Sequence, residues 1–108
     1  LPIRRIELEF FHRNDKSIKS LVTLATTGHY PLFGDRWTFE MWPEREKNLT
    51  GNEKAKAKTL FKRLCEHRSL ERQKTVFLSL NDKDRSLFIR AFMKMVENKI
   101  LDQAPELQ

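Results

Sequence analysis

The chain reads as an α+β domain, mainly helical, in the order β-α-β-α-α-α: two strands in the N-terminal half and a three-helix C-terminal half. Three observations predict this. Apolar and polar residues alternate at about 4–11 and again at 36–42, the period of a half-buried strand. From residue 52 onward apolar residues recur at helical spacing. Finally, 108 residues with 39% hydrophobic and 33% charged side chains, but only three Gly and four Pro, describe one globular domain over 1–108. Such a chain can bury a core without staples, and its composition excludes collagen-like, low-complexity and disordered classes.

In strand 1, Ile6, Leu8 and Phe10 alternate with Arg5, Glu7 and Glu9. Asp15 then caps a helix carrying Ile18, Leu21, Val22 and Ala25, which Gly28 ends in a left-handed conformation. His29 to Asp35, with Pro31 and Gly34, forms a loop. In strand 2, Trp37 and Phe39, expected in the core, share one face with Met41. Trp42 points the other way as a partner contact, and Pro43 stops the strand. The strand–helix–strand half therefore ends near 44, and 43–52 forms an exposed connection.

The helical half spans 52–101. Asn52 caps a helix to about 67 that buries Ala57, Leu60, Phe61 and Leu64. Ser69 caps a short helix with Leu70, Val76, Phe77 and Leu80. Asn81 or Ser79 caps a final helix from about 82 to 101, whose Asp82 and Asp84 suit the positive end of the dipole. Residues 102–108 read as a frayed tail. The final helix carries two apolar stripes: Phe88, Ala91, Phe92, Met95 and Val96, and beside it Ile89, Met93, Val96 and Ile100. One stripe suffices for a core. The second, with two strands in need of partners, predicts a homodimer built on Ile89 and Met93.

The charge is unevenly placed. Residues 1–44 hold six cations and six acids, and 75–108 hold five of each. Residues 45–74 hold ten cations against four acids, so the whole net charge of +6 lies in that block. Lys54, Lys56, Lys58, Lys62, Arg63, Arg68, Arg72 and Lys74 form the candidate site: long cations on helix sides not needed for burial are what phosphate contacts require. A helix-turn-helix reading of the last two helices would bring only Lys83, Arg85 and Arg90 to DNA, and Arg72 and Arg90 are the candidate base readers.

Other chemistry finds little support. The candidate metal ligands are His12, His29, Cys65 and His67. Cys65 and His67 are two apart on a helix and point about 200° away from each other, whereas a structural zinc needs four converging ligands. Cys65 is expected on the apolar side. No nucleophile elbow, phosphate loop or dinucleotide fingerprint occurs. Glu7 and Glu9 lack the cleft that paired-carboxylate chemistry needs. Asn48-Leu49-Thr50 matches the short glycosylation pattern without supporting context. No apolar run exceeds two to three residues, far from a membrane span, and no secretory apolar segment stands near the start. The single Cys65 excludes an intrachain disulfide and fits a reducing compartment. The sequence thus predicts a cytoplasmic, non-enzymatic regulator or accessory factor without metal or cofactor, binding nucleic acid, with duplex DNA favoured. The alternative is a protein-interaction module, an adaptor or inhibitor, that docks its basic surface or apolar helix on another protein.

Overall fold

The computed structural model describes residues 18–34 and 36–103. The strand read over 4–11 and the Asp15 cap lie outside them. The described elements are α1 (Ile18–Ala25), a 3-10 turn (Phe39–Met41), α2 (Gly51–Cys65), α3 (Leu70–Ser79) and α4 (Asp82–Gln103). The described residues contain no strand, so the α+β class and the β-α-β order are corrected to an all-helical fold.

The strand expected over 36–42 fails because the segment satisfies its backbone locally. Trp37 N–H donates to the Gly34 carbonyl at 3.2 Å, Met41 to Thr38 at 2.9 Å and Trp42 to Phe39 at 3.1 Å. A strand needs a neighbour for those groups, and a tight turn does not. Inside and outside are exchanged as a result. Trp42, read as a partner contact, is 5% exposed in the core, whereas Phe39, read as core, is 38% exposed and Met41 on the same predicted face 56%. Trp37 is half-buried in the preceding loop.

Local chemistry sets the helix ends. After α1, Gly28 N–H donates to the Ala25 carbonyl and His29 N–H to that of Leu24, at 3.0 and 3.1 Å. With Gly28 at φ +92°, this is the paired closure that a left-handed glycine permits. The start of α2 differs from the reading by two residues: Thr50, not Asn52, is the cap. Its hydroxyl accepts from Glu53 N–H at 3.1 Å while the Glu53 carboxylate accepts from Thr50 N–H at 2.9 Å, a reciprocal capping box. Ser69 caps α3 through Arg72 N–H, and Asn81 caps α4 through Asp84 N–H.

The core forms around α4, which packs against α1 and α2, while α2 also meets α3. Phe88 and Met93 are completely buried, and Ala91, Phe92 and Val96 nearly so. Ile89 packs against the same cluster. The two stripes of α4 therefore serve one chain over most of their length, because α1 and loop 29–42 pack on the helix as well as α2. Phe33 of that loop lies 5.1 Å from the Phe77 ring and 5.2 Å from the Phe92 ring. Met95, Ile100 and Leu101 remain exposed on the last turns. No described helix is long and apolar enough to cross a membrane.

Candidate nucleic-acid interface

The buried side of α2 is the line of Ala57, Leu60 and Leu64. With about 100° per residue, Lys54, Lys58 and Lys62 form one row, each step rising roughly 6 Å. Lys56 and Arg63, seven apart, lie on the other flank. The two rows border the outermost line of the helix, Ala55 and Thr59, and all five cations are exposed. Past the helix end, Arg68 and Arg72 are also exposed and, with Glu66, His67 and Ser69, line a shallow cleft of about 380 Å³. The turn holding them is pinned from within: Gln73, wholly buried, donates its side-chain amide to the His67 carbonyl at 2.8 Å. Lys74 is half-buried on α3.

The eight cations share one electrostatic property. Among the described residues, none of their side chains makes an ion pair or a hydrogen bond. Of the four acids in the basic block, Glu53 is already committed. Its carboxylate accepts from Arg90 Nη1 at 2.9 Å, and the same nitrogen lies 3.5 Å from Glu44. Only Glu46, Glu66 and Glu71 remain to balance the block, so the local field is more positive than the sequence count implies.

Arg90 is accordingly not a base reader. It is 7% exposed, and its Nε is buried without a hydrogen-bond partner. It holds the 43–50 connection and the start of α2 to α4, on one side of a cleft of about 480 Å³ that Lys56, Lys83 and Asp84 also line. Arg85 is likewise occupied. Its Nη1 donates to the Leu78 and Leu80 carbonyls at 2.9 and 2.8 Å, and it pairs with Asp82. This places a cation on the orphan carbonyls at the end of α3. Of the three α4 cations read as reaching DNA, only Lys83 is free on the surface.

The Arg90–Glu53–Glu44 group is what the sequence reading missed. Thr50-x-x-Glu53 is a legible capping signal, but Glu53 and Arg90 stand 37 residues apart and no local pattern links them. The Arg90 hydrogen bond first, and the Thr50 N–H second, hold the Glu53 carboxyl below the usual carboxylate range. A lowered folded-state pKa contributes stability that is present above the unfolded value and lost as pH falls through the folded one. The native chain is therefore expected to lose stability below about pH 4 more steeply than Glu53→Gln. Urea midpoints measured across that range check this, and parallel curves for the two chains would contradict it.

Cys65, expected on the apolar side, is exposed. Among the described residues no three His, Cys, Asp or Glu side chains converge as a metal site, and His12, Glu7 and Glu9 lie outside them. Comparison with protein-family models, curated proteins and solved structures finds no match to this chain.

Proposed function

We propose that this chain binds nucleic acid through the basic surface of α2 and the α2–α3 turn, as a regulatory or accessory factor without chemistry of its own. The observation that carries this reading is the set of cations on α2 and its turn, exposed and without carboxylate partners. Such side chains keep their full charge for an outside polyanion and release its counterions on contact. With Arg85 and Arg90 occupied inside the fold, the helix-turn-helix reading loses two of its three cations. Binding through α2 is then backbone contact, which positions a strand and carries no sequence information.

The test is a titration of the native chain and of Lys56→Ala/Lys58→Ala/Lys62→Ala/Arg63→Ala against random duplex and single-stranded DNA at several salt concentrations. The substituted chain is expected to bind all sequences more weakly. Its log–log salt slope should be flatter by about one unit per lost phosphate contact. If the native chain binds neither form at about 50 mM salt, where such contacts are strong, the reading fails. The protein-interaction module then takes its place, with Met95, Ile100 and Leu101 as its exposed apolar surface.

A further inference from the structure

The loop between α1 and the 3-10 turn holds a third cleft, of about 370 Å³, which none of the eight cations lines. Leu24, His29, Tyr30, Pro31, Gly34 and Trp37 line it. The Tyr30 and Trp37 rings meet edge to face, with centroids 4.6 Å apart and planes at 61°, so they form a corner of two aromatic walls. Phe33 backs both rings, at 6.4 Å from Tyr30 and 4.9 Å from Trp37, and is itself seated on Phe77, Phe88 and Phe92. The corner is thus held by the core. Its polar tips are uncommitted: the His29 ring, the Tyr30 hydroxyl and the Trp37 indole N–H make no hydrogen bond among the described residues. Flat apolar walls with a few converging polar atoms are the usual make-up of a small-ligand cleft.

Charge selects the occupant. Among the described residues no carboxylate lines the cleft, which disfavours a cationic ligand on a chain of net charge +6. Arg36, next to Trp37, is exposed and unpaired among the described residues. We infer that this aromatic corner receives an unpaired nucleobase, with Arg36 next to Trp37 in the chain for a flanking phosphate, so that the nucleic acid recognised is single-stranded. Aromatic faces accept any base, and each stacked base adds affinity without sequence readout. The inference rests on the proposed function and gives it a substrate class, since a paired base inside a duplex cannot enter such a corner.

The experiment compares three ligands on the native chain at about 50 mM salt: an oligothymidylate of about eight nucleotides, an abasic strand with the same number of phosphates, and a duplex of that length. The thymidylate is expected to bind roughly ten- to hundredfold more tightly than the abasic strand. It should also quench the emission of Trp37, the more exposed of the two tryptophans. Tyr30→Leu keeps apolar bulk against Phe33 and should remove most of that preference. Equal binding of thymidylate and abasic strand overturns this inference and leaves the basic-surface reading intact. Binding of none of the three overturns both. A preference for bases that survives in Tyr30→Leu with Trp37 unquenched places the bases elsewhere and also overturns it. Should Tyr30→Leu fail to fold, the native comparison still decides.

Discussion

Met93→Glu is expected to abolish cooperative folding of the isolated chain. Met93 is completely buried in α4, within the cluster that joins α1 and α2 to that helix. A carboxylate placed there is shut off from water, and Arg90 one turn back is already engaged by Glu53 and Glu44. Burying an unpaired charge costs several kcal/mol even after relaxation, against a total stability of about 5–15 kcal/mol for an ordinary domain. Circular dichroism and a urea titration check this. In a homodimer built on Ile89 and Met93, the same substitution would instead leave a folded monomer. A folded Met93→Glu chain would therefore show that this face of α4 is not internal to one chain.

Phe88→Ala is expected to cost about 3–5 kcal/mol, the second largest effect of a single substitution. Phe88 is wholly buried and its ring meets rings from α2, α3, α4 and the loop. Its ring lies 4.8 Å from Phe61 of α2, 5.3 Å from Phe77 of α3, and 6.3 Å from both Phe33 of the loop and Phe92 one turn along α4. Truncation removes the buried ring and leaves a cavity whose walls belong to three helices and a loop, so no single element can shift to fill it. The loss also forfeits edge-to-face contacts worth roughly 0.5–1.5 kcal/mol each beyond area. A lower urea midpoint with an unchanged slope is the expected signature. A loss below about 1 kcal/mol would mean that the aromatic centre is not packed as described.

Both substitutions strike where elements meet, and there the sequence was hardest to read. The basic surface lies at the opposite extreme. Lys58, Lys62 and Arg63 are exposed because Ala57, Leu60 and Leu64 define the buried side of the same helix, and this relation follows from spacing alone. Arg90 looked equivalent to them in the sequence. It differs because Glu44 of the 43–50 connection and Glu53 of α2 meet its buried guanidinium at 3.5 and 2.9 Å.

By itself the sequence determined α2, α3 and α4, the caps at Ser69 and Asn81, the left-handed glycine at 28, and the block that carries the net charge. Each of these is local: a hydroxyl or amide reaching a backbone N–H two or three residues on, an apolar repeat along one helix, or a count of charges within thirty residues. The tertiary structure alone decided the character of residues 36–42, the burial of Trp42 and the commitment of Arg85 and Arg90. Alternation in seven residues is compatible with a strand, yet a strand exists only when another strand accepts its hydrogen bonds, and the turn bonds of 34–42 need no neighbour. Likewise, a buried arginine is stable only opposite a carboxylate that the fold delivers, and long-range pairing of that kind leaves no periodic trace in the chain.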